Sequence, residues 1–328
     1  MEETRGRFRA RSATAACVAV VAVAAAAVVV ANHPWRDDGE GRTASASASP
    51  SSAAVVGSTA PVRGATREAR RYQLDPRPAR LPVHVEFERP PSAGVLFDVD
   101  TGEILWQKGP DRELPIASLT KMMTALLIAD RHRPGERVTI TPEALAYDGS
   151  GVGVLPKGER VRLEAMLRGL LLVSGNDAAI ALAQHDAGSV GNFVRRMNQR
   201  ALELGLTCTR FSSPHGLQDD GNHSCALDLA ALARADLANG RVRRIMGDDH
   251  ERFPFPVKGG FLDLYNNNPF IQRGVPGITG VKTGYTDAAG RCYAITAKRG
   301  GRHLGVVLLH SPKPLEQVPA LLRAGFRA

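Results

Sequence analysis

An α+β architecture is predicted, with an antiparallel sheet drawn from both ends of the folded region and a helical middle. Three observations predict it. A strand–turn–strand pattern opens near residue 93, the stretch from about 118 to 238 carries helical apolar periodicity, and the pattern returns to strands from about 278. Ala93 to Val99, the turn Asp100-Thr101-Gly102-Glu103 and Ile104 to Gln107 read as a hairpin. A loop to Ala117 leads into an apolar helix from Ser118 to about Asp130. Leu163 to Val173 and Asp177 to His185 read as further helices. Ser189 caps another that Gly205 ends, and Ala226 to Ala238 is amphipathic. Ile278 to Gly284, Arg291 to Lys298 and His303 to His310 read as strands. Arg299-Gly300-Gly301-Arg302 is a hairpin turn between the last two, and Pro314 to Phe326 closes the chain as a helix.

The region before the sheet has a different composition. Arg5, Arg7, Arg9 and Arg11 precede an uncharged apolar run from Ala13 to Ala31. At about 1.5 Å per residue this run is long enough to cross a hydrocarbon core of about 30 Å. The basic flank places residues 1–12 in the cytoplasm and exports the chain beyond the run. A retained signal anchor over 13–31 is the preferred reading. A cleaved signal peptide is the alternative, with small residues near Ala27 and Ala31 suited to cleavage. Residues 32–91, rich in Ala, Ser, Pro and Arg, read as a disordered linker, because too few large apolar side chains offset the entropy of ordering. Residues 92–328 are then a single folded domain, outside the cytoplasmic membrane.

Net charge is +9, of which the first ninety residues contribute +4, from thirteen basic and nine acidic side chains. No basic stripe with interleaved aromatics exists, so nucleic acid is not an expected partner. Of four cysteines, Cys17 lies in the apolar run and Cys292 in a strand. Cys208 and Cys225 flank a turn-rich segment and are a possible disulfide in an oxidising compartment. His215 has no partner at metal-ligand spacing and HExxH is absent, so neither a metal nor a cofactor is expected.

Three short motifs carry chemistry. Ser118-Leu119-Thr120-Lys121 places a hydroxyl and an amine one helical turn apart. For the amine to take the serine proton it must be neutral near pH 7, several units below its reference pKa of about 10.4. The apolar side chains Leu119, Met122, Met123, Leu126 and Leu127 suggest that Lys121 is buried. Ser174-Gly175-Asn176 sits at a helix junction, where a hydroxyl and an amide can bridge the lysine and a substrate. Lys282-Thr283-Gly284 lies on a strand whose glycines allow an extended substrate to pair with the edge. Singly, each motif is also what a helix cap or a turn would show.

In this order, the motifs resemble the penicillin-binding and serine β-lactamase superfamily. Ile116 to Ala129 and Gly280 to Gly290 are most similar to D-alanyl-D-alanine carboxypeptidases, and the resemblance covers roughly Ser92 to Pro312. It implies the transpeptidase-like α+β fold and an acyl-enzyme on Ser118, with Lys121 as base and Ser174 as proton relay. It also implies that Asn176, Lys282, Thr283 and Gly284 bind substrate, and that the backbone N–H groups of Ser118 and Tyr285 form the oxyanion hole. Peptidoglycan stem peptides are the implied substrate and β-lactams the implied covalent inhibitors. Ser213 to Leu217 and Tyr285 to Gly290 look like structural loop signals of the same family. The deacylating glutamate of a class A β-lactamase has no good counterpart here: Glu203 reads as mid-helix and Glu251 as part of a polar turn. The alternatives are a D,D-endopeptidase, a weak β-lactamase, or a catalytically silent penicillin-binding wall sensor.

Overall fold

The computed structural model describes residues 66–328 except 77, 79, 218 and 219. The expected cytoplasmic tail, the apolar run and most of the linker therefore lie outside the described residues. Among the described residues, no helix is long and apolar enough to cross a membrane.

In chain order the elements are α1 (Arg67–Tyr72), β1 (Ala93–Asp98), β2 (Ile104–Lys108), β3 (Leu114–Pro115), a 3₁₀ turn (Ala117–Thr120) and α2 (Lys121–Arg131). Next come β4 (Arg137–Thr139), α3 (Pro142–Leu145), β5 (Arg160–Arg162), α4 (Leu163–Leu171), α5 (Asn176–Ala187) and α6 (Val190–Glu203). They are followed by β6 (His223–Ser224), α7 (Ala226–Ala238), α8 (Gly240–Gly247), β7 (His250–Pro254), β8 (Phe261–Tyr265) and α9 (Pro269–Gln272). The chain closes with β9 (Ile278–Thr286), β10 (Gly290–Arg299), β11 (Arg302–Leu309) and α10 (Pro314–Gly325).

The sheet order is β2-β1-β11-β10-β9, so the two ends of the folded region do share one sheet. Both faces are covered, which is why its strands read as nearly continuous apolar runs. Leu96, Ile295, Val306 and Leu308 pack with Val318, Leu321 and Leu322 of α10. Val95, Phe97, Ala294 and Val307 face the helical layer, where Met122, Met123 and Leu126 of α2 are buried. Each of the larger ones (Val, Leu, Ile, Phe, Met) contributes about 1.5–3 kcal/mol on burial. Phe97 stands opposite Gly305, and a Cβ there would lie 2.3 Å from its ring. The β10–β11 turn has positive φ at both Gly300 and Gly301 (55° and 79°), the requirement of a two-residue type I′ hairpin. Ser189 caps α6 through its side chain, and Gly205, with φ 69°, lies just past that helix's end.

Three local expectations are revised. Part of the segment assigned to the linker is ordered on the domain: Thr66 caps α1, Ala69 and Val83 are buried, and Val83 donates to the Leu105 carbonyl at 3.1 Å. The buried Arg234 guanidinium donates to the carbonyls of Tyr72, Gln73, Val99 and Asp100, tying this segment to α7. A few anchors suffice because a finished core receives them. Glu203 is the last residue of α6, paired with Arg200 at 3.4 Å. Glu251 lies on β7, in a hairpin that the polar sequence conceals, and pairs with Arg168 at 3.5 Å. Cys208 and Cys225 are joined in a disulfide, and Cys292 is a buried free thiol whose ionisation burial pushes up to about 12.

Candidate active site

The site is built outward from the turn before α2. Ala117 has φ 48°, a left-handed backbone that costs a non-glycine residue about 1–2 kcal/mol. It throws the chain into the 3₁₀ turn Ala117–Thr120, so Ser118 precedes the α-helix rather than starting it. A 3₁₀ turn has three residues per revolution, which brings side chains i and i+3 into eclipse. Lys121 Nζ accordingly lies 2.9 Å from Ser118 Oγ. Lys121, the first residue of α2, is fully buried. Its amine also donates to Asn176 Oδ1 at 2.7 Å and to the His215 carbonyl at 3.0 Å.

Asn176, the first residue of α5, is held from two sides: its Nδ2 donates to the Asp148 carbonyl at 2.6 Å, and its backbone N–H to the Ser150 carbonyl at 2.8 Å. Next to it the Asp177 carboxylate accepts from the N–H groups of Val152, Gly153 and Ala178. Burial nonetheless raises its pKa above the ordinary carboxylate value. Asp177 thus fastens the 148–153 loop against α5 and presents Ser150 to the cleft. Ser174 is buried with φ 62°, strain of about 1–3 kcal/mol that the junction must hold. Its Oγ has no hydrogen-bond partner among the described residues.

Strand β9 closes the other side. Lys282 is buried, and burial pushes its amine down to about 7; Nζ lies 2.9 Å from the Thr283 carbonyl. Gly284 approaches the backbone of Ser118 so closely that a Cβ would lie 2.8 Å from Ser118 N and 3.1 Å from Ala117 Cβ. Tyr285, next along, is exposed, and its hydroxyl donates to Asp287 at 3.0 Å, which raises the phenol's pKa.

These three motifs meet at one small cleft of about 60 Å3, lined by Ser118, Ser174, Thr283, Gly284 and Tyr285. Lys121, Asn176 and Lys282 lie behind its wall, buried. Neither Glu203 nor Glu251 lines it. A larger cavity of about 380 Å3 adjoins through the shared residues Tyr285 and Arg291.

Sequence reasoning missed part of the lining: Ser150, Asn267, Arg291 and Tyr293. Arg291 and Tyr293 stand opposite Tyr285 and Thr283 in the β9–β10 register, a pairing no local pattern reveals. The Ser213–Leu217 segment, read as a loop signal, does more than shape a loop. It supplies the His215 carbonyl to Lys121, and Thr124 Oγ1 secures it through the Pro214 carbonyl at 2.7 Å. The His215 ring itself is kept neutral, its pKa pushed down to about 4 chiefly by burial.

The D-alanyl-D-alanine carboxypeptidase family model matches residues 87–313. The chain is 35% identical over 249 residues to the D-alanyl-D-alanine carboxypeptidase DacF of Bacillus subtilis, spanning 74% of this chain and 63% of that protein. It is 34% identical over 245 residues to DacB2 of Mycobacterium tuberculosis, spanning 72% of this chain and 82% of the relative. Against DacF and the Escherichia coli DacD, the chain thus covers less than two thirds of the relative's length (63% and 62%). Among solved structures, a D-alanyl-D-alanine carboxypeptidase from M. tuberculosis superposes with a TM-score of 0.70 at 31% identity, covering 77% of this chain and 97% of that one. Penicillin binding protein 6B from E. coli gives 0.66 at 32% identity, with 74% and 79% covered. By sequence, fold and the order of its motifs, this chain belongs to the D-alanyl-D-alanine carboxypeptidase family.

Proposed function

We propose that the protein is a serine-type D-Ala-D-Ala carboxypeptidase that removes the terminal D-alanine from peptidoglycan stem peptides. The observation that carries this reading is the 2.9 Å contact between Ser118 Oγ and the wholly buried amine of Lys121. A neutral amine gives its two hydrogens to the Asn176 and His215 oxygens and turns its lone pair to the serine hydroxyl. Ser118 Oγ attacks the carbonyl of the penultimate D-alanine as its proton passes to Lys121. The resulting oxyanion is received by the N–H groups of Ser118 and Tyr285, which the close passage of Gly284 brings together. Lys121 returns the proton through Ser174 Oγ to the departing amine, and the C–N bond breaks. Water then attacks the ester, again losing its proton to Lys121, and Ser118 recovers its hydrogen.

Thr283 binds the substrate's terminal carboxylate, and Lys282, buried behind the wall, attracts it through its charge. A β-lactam opened by Ser118 keeps its leaving amine tethered to the acyl group, and among the described residues no glutamate lines the cleft to speed hydrolysis, so the adduct persists. The N-terminal apolar run holds the enzyme at the outer face of the cytoplasmic membrane.

The test is mass spectrometry of the penicillin adduct together with D-alanine release from a stem pentapeptide. Wild type should show both and Ser118→Ala neither. Labelling without release would favour a wall sensor, and cleavage of a cross-linked dimer alone would favour an endopeptidase.

Lys282 also sets a pH dependence. With its amine pushed down to about 7, it is charged below that pH and neutral above it. A carboxylate substrate prefers the ammonium, so KM should rise above about pH 7, approaching tenfold per pH unit until the contribution is lost. An amidated peptide end should show no such rise in steady-state kinetics, and Lys282→Met should flatten the difference.

A further inference from the structure

Far from Ser118, the loop after α2 meets the C-terminal end of α5. His132 Nδ1 lies 2.9 Å from Glu136 Oε2, and His185 Nε2 lies 3.1 Å from the same oxygen. All three ligand atoms fall within 4.8 Å of one another. The other nitrogen of His132, Nε2, is 2.8 Å from Asp186 Oδ1, on a carboxylate that is itself wholly buried. Arg131, at 2.7 Å, and Arg196 hold Asp186 in place. Glu136 is oriented too, since its Oε1 accepts from the Arg133 N–H at 2.6 Å.

His132 therefore has a carboxylate at each ring nitrogen, and an ionised carboxylate only accepts. Asp186 takes the Nε2 proton, which leaves the Nδ1 lone pair aimed at Glu136. That contact requires either a second proton or a cation between the groups. Two imidazole nitrogens and one carboxylate oxygen form a donor set for a borderline metal, with a fourth position left for water. Bonds of about 2.0–2.1 Å in a tetrahedron separate ligand atoms by about 3.3 Å, so the two contacts to Glu136 Oε2 need to open by only a few tenths of an ångström, while the two ring nitrogens, within 4.8 Å of each other, settle to the same spacing. The buried carboxylate behind His132 and the amide behind Glu136 are the kind of outer contacts that orient metal ligands.

We propose that His132, Glu136 and His185 bind a divalent cation of the zinc class, clipping together the C-terminal ends of α2 and α5. These are the helices whose other ends bring Lys121 and Asn176 to 2.7 Å. The cation braces the pair without touching the catalytic cleft.

The experiment uses the full chain without an affinity tag, stripped with a chelator and titrated with zinc chloride by calorimetry and with Co2+ by visible absorption. One equivalent should bind, Co2+ should show the intense band of a four-coordinate ion, and saturating zinc should raise Tm by about 5 °C. The double variant His132→Ala/His185→Ala should lose the binding and the shift while penicillin labelling of Ser118 persists. Should that variant not fold, Glu136→Gln should weaken zinc by about tenfold or more. Absence of stoichiometric binding, or an affinity unchanged in the variant, overturns the proposal.

Discussion

Lys121→Met should slow acylation of Ser118 by about 100- to 10,000-fold, the range expected for losing a positioned general base. Methionine matches the length of the lysine stem, so the fully buried position stays filled. The Asn176 and His215 oxygens lose a donor, a cost of about 1–3 kcal/mol for each buried acceptor left unsatisfied. Removing a polar amine from the interior offsets part of this. A thousandfold loss of rate corresponds to about 4 kcal/mol of activation free energy, and it should appear in a protein that still folds. The check is the rate of fluorescent-penicillin labelling, with circular dichroism to establish folding. A rate within tenfold of wild type in a folded variant would remove Lys121 from the base role.

Gly216→Ala should destabilise the domain by about 2–5 kcal/mol, combining a left-handed backbone with steric overlap. Its φ is 79°, and a Cβ would lie 2.1 Å from the Ala117 carbonyl oxygen and 2.5 Å from Thr120 Oγ1. Those atoms belong to the turn that carries Ser118, so they cannot yield without displacing the nucleophile. Tm should fall by about 5–15 °C, and acylation of the surviving folded protein should fall with it. Gly221 is the control: its φ is 81°, but nothing lies within 4 Å of a Cβ there. Gly221→Ala should therefore cost only the backbone strain. Equal melting temperatures for the two variants would show that the contact with the Ser118 turn does not matter.

Much of the fold was legible because its signals are local. The nearly continuous apolar runs of β1, β10 and β11 and the helical spacing of α2, α4 and α7 fall within a few residues of expectation. Residues 66–91 and the β7–β8 hairpin were not legible. Residues 66–91 place only a few apolar side chains on the domain, and although Leu262 and Leu264 of β8 alternate inward, that strand is five residues long and its partner β7 is largely polar, too short a signal to declare a hairpin. In the site, Ser118 and Lys121 could be paired from the sequence because three residues separate them. Ser150, Asn267, Arg291 and Tyr293 could not, because each reaches the cleft through a contact distant in sequence.

By itself, then, the order of residues determined the class of fold, the Ser118–Lys121 contact and the other two motifs, since these depend on short-range geometry and side-chain chemistry. Tertiary structure alone decided that a histidine carbonyl completes the lysine's surroundings, that Gly284 lies against the nucleophile's backbone, and that His132, Glu136 and His185 converge. The reason is physical: distances between segments far apart in the chain are set by how the helical layer packs on the sheet, and no local propensity encodes that packing.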